Sequence, residues 1–386
     1  MFNFTTLPPL SLYIHVPWCV RKCPYCDFNS HDNHISLPEN DYIDALIRDL
    51  EQELPLVWGR SIQTIFIGGG TPSLFSAKAY ERLFSAIRAL LPLNHNAEIT
   101  LEANPGTIEA ERFKEYRDVG INRLSIGIQS FDVDALKALG RIHSDEQAIK
   151  AVEYAHDAGF DSFNLDLMFG LPGQDEKKAR HDIETAIALA PPHLSYYQLT
   201  IEPNTLFYAK PPQLPDDDPI YDWQLANQER LAKAGYQQYE TSAYAKAGHQ
   251  CRHNRNYWQF GDYIGIGAGA HGKITSASPA QIQRRVKQKQ PQAYIDTAGI
   301  PANLVDQQMI TENEVGFEFM LNAMRLLEGV PTPLFQQYAG VPISTISAAM
   351  QEAEKLELIE HTIQHIRPTE KGQRYLNSLI ELFLNA

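Results

Sequence analysis

Three cysteines near the start of the chain, Cys19, Cys23 and Cys26, are spaced C-x₃-C-x₂-C. Iron–sulfur clusters of the [4Fe–4S] type usually take four cysteine thiolates. Three thiolates therefore leave one iron of such a cluster open to a small molecule. Because the spacing differs from the usual zinc patterns, it indicates an iron–sulfur cluster. The alternatives are a three-ligand zinc site completed elsewhere in the chain and chance clustering.

Further polar motifs follow the cysteines along the chain. The segment Gly-Gly-Gly-Thr-Pro at 68–72 lets the backbone approach a ligand closely, so that its carbonyls accept from an ammonium group, although it also suits a tight turn. Asp166 lies in an apolar run, where an unpaired charge is costly, and Arg141 suits a carboxylate. Taken singly, each of the four residues could equally well serve in an internal ion pair or a helix cap as in ligand binding; they are Glu102, Gln129, Arg141 and Asp166. Together they indicate a ligand site.

Alternating strands and helices must position these residues. The predicted strands occupy 11–16, 64–67, 98–102, 123–128, 162–168 and 194–199, and the predicted helices lie near 40–54, 77–91, 109–119, 145–158 and 176–189. This alternation indicates repeated βα units. Six units are too few for a closed eight-stranded barrel. We therefore expect an α/β fold with an incomplete, three-quarter TIM-like (βα)6 barrel, whose site lies at the carboxyl ends of the strands.

The sequence predicts three regions: the barrel over 1–200, an extension over 201–300 and a small helical domain over 301–386. A helix near 342–357 followed by a short hairpin over 358–366 resembles a winged-helix unit. Residues 301–386 carry five Lys or Arg and eleven Asp or Glu. Because nucleic-acid binding depends on positive charge, we expect a packing or docking role for this domain and no nucleic-acid partner.

The composition is that of a soluble globular protein. The 386 residues are 44% hydrophobic and 21% charged, and the formal net charge is −14. No apolar run approaches the ~20 residues that span a bilayer, and the first residues lack the pattern of a signal peptide. Four cysteines, three of them in one cluster, do not suggest a disulfide framework. We expect a cytoplasmic protein that is not itself a membrane protein.

The cysteine spacing resembles that of the radical SAM superfamily, in which S-adenosylmethionine (SAM) binds the open iron and its reductive cleavage yields a 5′-deoxyadenosyl radical. The segments at 12–17, 68–73, 127–131 and 164–172 and the strand ending at Glu102 narrow the resemblance to the oxygen-independent coproporphyrinogen dehydrogenase family, over nearly the whole chain. The resemblance implies a three-quarter barrel. It also implies SAM contacts from Tyr13, Gly69, Gly70, Thr71, Glu102, Gln129, Arg141 and Asp166, with Tyr25 beside the adenine.

Two departures separate the chain from the true dehydrogenases. Those enzymes carry a further cysteine two residues after the third, where this chain has Phe28, and they have an extension before the first strand, where this chain has about ten residues. Both features resemble HemW, the haem-chaperone branch of the family. That branch implies a protein that binds a [4Fe–4S] cluster, SAM and haem and passes haem to acceptor haemoproteins, membrane respiratory enzymes among them.

The alternative function is enzymatic, namely oxidative decarboxylation of coproporphyrinogen III, and the resemblance leaves open whether the chain is an enzyme. A transcriptional regulator that uses the winged-helix tail is disfavoured by the negative charge of that tail. The oligomeric state, including a homodimer, also stays open.

The motif H-N-x-x-Y-W at 253–258 is a signature of HemW-type proteins. Its His253 offers an imidazole suited to haem iron, and the two aromatic residues offer flat faces to a macrocycle. Cys251 and His271 are rival ligands, and a core histidine beside packed aromatic rings is the structural alternative. The densest basic run would attract haem propionates or form a solvated face; it comprises Arg284, Arg285, Lys287 and Lys289.

Overall fold

The structure is a computed structural model that describes residues 2–32, 37–106 and 112–384. Its strands are β1 (Leu10–Val16), β2 (Trp18–Cys19), β3 (His31–Asp32), β4 (Ile62–Gly69), β5 (Leu93–Ala103), β6 (Arg123–Gln129), β7 (Phe163–Phe169), β8 (His193–Gln198), β9 (Gln237–Glu240), β10 (Ala243–Ala245), β11 (Asp262–Ile266), β12 (His271–Ala277), β13 (Ala280–Lys287), β14 (Leu304–Ile310), β15 (Val330–Pro331), β16 (Ile359–His361) and β17 (His365–Pro368).

The helices are α1 (Glu39–Glu53), α2 (Ala77–Leu90), α3 (Phe113–Asp118), α4 (Val133–Ala138), α5 (Asp145–Asp157), α6 (Glu176–Ala188), α7 (Leu206–Ala209), α8 (Asp217–Lys233), α9 (Arg252–Trp258), α10 (Pro291–Thr297), α11 (Val315–Ala323), α12 (Thr332–Ala339), α13 (Ser347–Lys355), α14 (Glu370–Arg374) and α15 (Leu376–Glu381). Of the helix predicted near 109–119, residues 109–111 lie outside the described residues.

A large sheet has the strand order β14-β13-β12-β11-β1-β4-β5-β6-β7-β8-β10-β9. Its central strands β1 and β4 to β8 pair in parallel, and these are the six strands predicted from the sequence. Helices connect these strands, because parallel neighbours need a crossover connection. The described part of the sheet ends at β14 and β9 without closing, so the expectation of an incomplete α/β barrel is confirmed.

Strand β1 shows how the sequence sorts its side chains. Because successive residues of a strand point to opposite faces, Leu12 and Ile14 pack into the main core. Ser11, Tyr13 and His15 alternate with them and lie on the other face, where their side chains take part in polar contacts. The residues that carry chemistry therefore share the concave face of the sheet.

Residues 201–300 do more than extend the barrel at one end. β9 and β10 continue the sheet beyond β8, whereas β11 pairs in parallel with β1 at the opposite side. The sequence analysis assigned no strand to this region. Gly265 lies inside β11, where a Cβ atom would come within 1.9 Å of the carbonyl oxygen of His271. The close approach of these two strands requires the glycine.

A buried ion network joins this extension to α1. The Lys287 ammonium lies 2.5 Å from an oxygen of Asp49 and 2.6 Å from an oxygen of Glu53, and Arg285 lies 2.9 Å from Glu53. All four side chains are buried. These two basic residues therefore belong to neither a solvated face nor a free propionate site.

The last third of the chain has a core of its own, which includes Phe319, Phe335 and Ile366 and also Phe260 from the extension. The sheet β15-β17-β16 packs with helices α11 to α13 in this unit, and the hairpin β16–β17 follows α13 as predicted. The expected small helical domain is confirmed. Within the described ranges, no helix has the length and apolar character needed to cross a bilayer.

Candidate functional site

The cysteine loop directly follows β1, at the carboxyl end of the parallel strands. Cys19, Cys23 and Cys26 are partly exposed free thiols. Within 2–32, 37–106 and 112–384, no group of three or more His, Cys, Asp or Glu side chains is arranged to hold a metal ion. The three thiols therefore lie in one loop that is open to the cluster which their spacing predicts.

His15 fixes the end of the cysteine loop. Its Nε2 lies 2.8 Å from the carbonyl oxygen of Asn29, and its Nδ1 lies 2.9 Å from the hydroxyl of Tyr13. Because the carbonyl only accepts, Nε2 carries the proton and Nδ1 accepts from Tyr13. Burial lowers the pKa of His15 to about 4, which keeps the ring neutral. The Asn29 amide donates in turn to the carbonyls of Ala268 and Lys289, which tie the loop to the extension.

The glycine motif after β4 passes against the cysteine loop. A Cβ atom on Gly70 would lie 2.5 Å from the carbonyl oxygen of Trp18, and one on Gly69 would lie 2.5 Å from the ring of His15. Gly69 also has a φ of +116°, which disfavours any side chain. Thr71 donates its backbone N–H to Trp18. The structure therefore brings the predicted residues Gly69, Gly70 and Thr71 beside the cysteines.

Arg141 links the cysteines to the next strands. Its Nη2 donates to the Asn104 side chain at 2.6 Å and to the Gly127 carbonyl at 2.7 Å, and its Nη1 lies 3.6 Å from the sulfur of Cys23. Its Nε is buried and has no hydrogen-bond partner. Buried donors are almost always satisfied. An orphaned guanidinium donor beside the cysteines therefore fits a ligand that carries a carboxylate, as SAM does.

Two partly buried carboxylates and a buried amide face the same region from β5, β6 and β7. Glu102 accepts from the backbone N–H of Gly69 at 3.0 Å, and burial, together with the charge of Asp166, raises the pKa of Glu102 to about 7. Asp166 accepts from Asn164 at 2.9 Å and from Ser125 at 3.1 Å. These bonds oppose the burial that raises its pKa.

Gln129 has a φ of +69° and accepts from the Tyr197 hydroxyl at 2.9 Å. The turn that follows Gln129 is held by Asp182 of α6, which accepts from the Phe131 backbone N–H at 2.6 Å and from the Ser130 hydroxyl at 2.8 Å. Asp182 therefore positions Gln129 from outside the barrel.

Two cavities adjoin the cysteine loop. The larger, of about 530 Å³, is lined by Cys23, Cys26, Gly140 and Phe207 among others. The smaller is lined by Cys23, Thr71, Asn104 and Arg141 among others. Tyr25 packs against Phe207 with 6.4 Å between ring centres. Space for a ligand thus lies on both sides of Cys23, next to the residues predicted to bind SAM.

The sequence analysis missed several residues that hold this site together, namely His15, Asn29, Asn104, Asp182 and Tyr197. Asn104 and His15 lie in or next to segments that the sequence analysis identified because of other residues. Asp182 lies in a helix of unremarkable pattern, where no sequence signal marks it. Its role depends on a contact between residues more than fifty positions apart.

His253 lies at the other end of the strands. Its ring is buried between Thr64, near the start of β4, and Tyr257; Nδ1 is 2.8 Å from the Thr64 hydroxyl and Nε2 is 2.8 Å from the Tyr257 hydroxyl. Its backbone N–H donates to Glu98. The motif at 253–258 therefore forms a helix, α9, that covers the amino ends of β1, β4 and β5.

The two rival haem ligands differ in their surroundings. Cys251 is buried, its sulfur lies 3.7 Å from an oxygen of Glu98, and burial raises its pKa to about 12. It shares the amino end of the strands with His253. His271 begins β12 and is exposed. The structure does not bring these three residues together at one cavity.

Two protein-family models match parts of the chain. Residues 13–186 match the radical SAM superfamily, and residues 310–375 match the HemN C-terminal domain. The chain is 51% identical to the heme chaperone HemW of Escherichia coli K12 over 98% of this chain and 99% of that protein. It is 50% identical to the heme chaperone HemW of Haemophilus influenzae over 98% of each. The chain belongs to the HemW family.

A more distant HemW family member, the heme chaperone HemW of Bacillus subtilis, is 34% identical over 97% of this chain and 99% of its own. Among solved structures, coproporphyrinogen III oxidase (HemN) from Escherichia coli, a radical SAM enzyme, superposes with a TM-score of 0.82 at 23% identity, covering 98% of this chain and 90% of that chain. That likeness shows that this chain shares the fold of HemN.

Membership of the radical SAM superfamily makes a [4Fe–4S] cluster and SAM the cofactors of this HemW-family chain. The residues present fit both groups: three thiols for the cluster, and the buried, unpartnered Nε of Arg141 for the SAM carboxylate. Together these cofactors supply one-electron chemistry. The protein's own part is to hold the thiols, orient SAM and keep charged groups buried beside it.

We expect SAM affinity to depend on the protonation of Glu102. The pKa of about 7 leaves the carboxyl group neutral at pH 6 and ionised at pH 8, and a cationic ligand prefers the ionised form. The SAM dissociation constant should therefore fall by about tenfold from pH 6 to pH 8. Equilibrium binding of SAM to the cluster-loaded protein measures this. Glu102→Gln is the control, because it should bind more weakly and lose that part of the pH dependence; an unchanged profile would contradict the role of Glu102.

Proposed function

We propose that this chain is a haem chaperone that carries a [4Fe–4S] cluster and SAM, binds haem and transfers it to acceptor haemoproteins. The observation that carries the proposal is the identity of 51%, over essentially the full length of both chains, to a protein named heme chaperone HemW. The three-cysteine loop and the residues around it supply the cofactor site that such a protein needs.

The second candidate is oxidation of coproporphyrinogen III, which the fold likeness to HemN favours. At 23% identity that likeness concerns the fold alone. Phe28 stands where the family resemblance gives the dehydrogenases a further cysteine, and this residue is 59% exposed next to the cysteine loop. The side chain at that position is therefore an apolar ring in place of a thiol. For this reason the chaperone is the better supported function.

We expect the protein to oxidise coproporphyrinogen III little or not at all. Phe28→Cys adds one thiol and leaves every other side chain of the site unchanged, so it should not create the activity. Anaerobic turnover with cluster-loaded protein, SAM and a reductant, with the porphyrin followed by fluorescence, measures both forms. Many turnovers per hour by the unmodified protein would reject the chaperone function.

Within this proposal His253 is the first candidate for the haem ligand. Cys251 and His271 are the second and third candidates. Lys289 is the best placed member of the basic run for a propionate, because it is exposed, whereas Arg284, Arg285 and Lys287 are held in ion pairs. The acceptors we propose are membrane respiratory enzymes. We further propose a cytoplasmic location, with all four cysteines reduced, and a homodimer as the assembly.

One experiment separates the two functions. The protein is purified anaerobically, haem is added, and the haem spectrum is recorded beside an assay for coproporphyrinogen consumption. Stoichiometric haem binding without consumption supports the chaperone. Consumption without stable haem binding supports the enzyme.

A further inference from the structure

Building on the proposed haem-chaperone function, whose assembly is a homodimer, we propose that two copies of the chain join edge to edge through β14, so that the large sheet of one protomer continues into its partner. β14 is one end of that sheet. Its five residues from Val305 to Met309 are all exposed. A strand with one covered face would alternate between buried and exposed residues. Within the described ranges, both faces of β14 and its outer edge are therefore open.

The backbone of β13 shows which groups of β14 face the open edge. The Lys287 N–H donates to the carbonyl of Ala270, on the β12 side of β13. Because antiparallel strands direct their backbone groups alternately to one neighbour and to the other, residues 286, 284 and 282 face β14. They pair there with residues 306, 308 and 310. Gln307 and Met309 lie between these positions, so they point their N–H and C=O groups away from the sheet.

The opposite end of the sheet is covered by the chain itself. β9 ends at Glu240, which forms a β-bridge with Leu326, and the Leu327 N–H donates to the carbonyl of Tyr239. Proteins otherwise protect an exposed edge with lysine, proline or a bulge. β14 contains neither lysine nor proline, and its register shift lies at its start, so that residues 306–310 pair regularly with β13. The edge of β14 is thus able to accept another strand.

The sequence of β14 favours a second copy of itself as that strand. Antiparallel pairing of two identical strands creates a two-fold contact, the commonest symmetry of soluble oligomers. Asp306 is the only charged residue among 304–310. When Gln307 faces its equivalent across the axis, each Asp306 faces Gln308 of the partner subunit. The two carboxylates then stay apart, as a sheet requires of like charges. The same register places Met309, which is 45% exposed, opposite the partner's Val305, which is 47% exposed.

The expected dimer is weak, because long-range charge opposes it. Main-chain hydrogen bonds along one added strand give affinity, but so small a contact is typical of transient association. Each chain carries a net charge of −14, whereas each pairing strand contributes a single carboxylate. We therefore expect a dissociation constant in the micromolar range that falls when salt screens the repulsion. An interface held by ion pairs would weaken with salt instead.

Sedimentation velocity of the full-length, cluster-loaded protein over a range of micromolar concentrations measures the association. Met309→Lys adds a charge to the pairing strand. Gln307→Pro removes an outward N–H without breaking a bond to β13, the position in which edge strands tolerate proline. Each variant should raise the dissociation constant by about tenfold or more. Ile363→Lys is the matched control, because it puts the same charge on another exposed apolar residue, in the loop of the hairpin β16–β17. It should leave the association unchanged.

Substitutions at Gln308 test the register. Gln308→Lys should tighten the dimer by about fivefold, because the two-fold axis creates two pairs between a lysine and the partner's Asp306. Gln308→Asp should weaken it, since carboxylates then face each other. Hydrogen exchange of the unmodified protein gives an independent readout. The amides of Gln307 and Met309 should exchange more slowly as the protein concentration rises, whereas the amide of Gln308, which already faces β13, should change little.

The outcomes separate this inference from the function on which it rests. A protein that stays monomeric at every concentration, or a dimer that survives both Met309→Lys and Gln307→Pro, overturns the pairing through β14. A dimer that Gln308→Lys weakens overturns the pairing in this register. Haem titration of the unmodified protein tests the chaperone function separately. Absence of haem binding rejects that function whether or not the chain dimerises, and haem binding by a monomeric protein rejects the dimer while the function stands.

Discussion

Serine at Cys19, Cys23 and Cys26 together is expected to abolish iron–sulfur absorbance and bound iron, because we propose these thiols as the cluster ligands and a serine hydroxyl is a poor substitute for a thiolate. SAM binding should be lost with the cluster, since SAM completes the coordination of the open iron. Iron and sulfide analysis after anaerobic reconstitution measures the first effect, and the SAM-induced change of the cluster's electron paramagnetic resonance measures the second.

Cys251→Ser is the matched control for that triple variant. Its sulfur lies beside Glu98 at the amino end of the strands, whereas the three cluster cysteines follow the carboxyl end of β1. Iron content and the SAM-induced change should therefore be unaltered. Loss of the cluster in Cys251→Ser, with Cys19→Ser harmless, would show that the ligand set is wrong.

His253→Ala is expected to weaken haem retention by about a hundredfold and to shift the haem absorption band, while the cluster still assembles. Loss of partners that merely orient a metal ligand costs 10–100-fold in metal affinity, and loss of the ligand itself should reach at least the upper end. Haem titration by absorbance measures the change. Because burial lowers the pKa of His253 to about 3, binding to the unmodified protein should not weaken from pH 8 to pH 5 through protonation of this ring.

The reciprocal variant provides the control. The triple cysteine variant should take up haem with unchanged affinity, because its substitutions lie at the opposite end of the sheet from His253. If His253→Ala binds haem with the same affinity and spectrum as the unmodified protein, the ligand lies elsewhere. Cys251 and then His271 would be tested next.

The strands that carry the proposed SAM site could be predicted because each is a short apolar run followed by a distinctive polar residue. Glu102, Gln129 and Asp166 could be assigned to one site because the carboxyl ends of parallel strands lie at the same edge of the sheet. β11 could not be predicted in the same way, because its Gly265 lowers strand propensity and is required only by the approach of β12.

The surroundings of His253 were equally hidden from the sequence. The motif at 253–258 indicated a histidine beside aromatic residues, but its place depends on Thr64 and Glu98, which lie more than 150 positions earlier. Likewise, a run of four basic residues gave no sign that Arg285 and Lys287 pair with acids of α1. Contacts of this range are set by the fold, and short patterns do not contain them.

The place of β1 between β4 and β11 has a consequence for biosynthesis. β1 ends at Val16, whereas β11, which covers one of its edges, begins only at Asp262. The ribosome must therefore add roughly 250 residues before that edge of β1 is covered. At ordinary rates of translation this takes about 12 to 50 seconds. An uncovered strand edge is a template for pairing with other chains. The strand that leads into the cluster loop is thus among the first made, and it stays open on one side until about two thirds of the chain has left the ribosome.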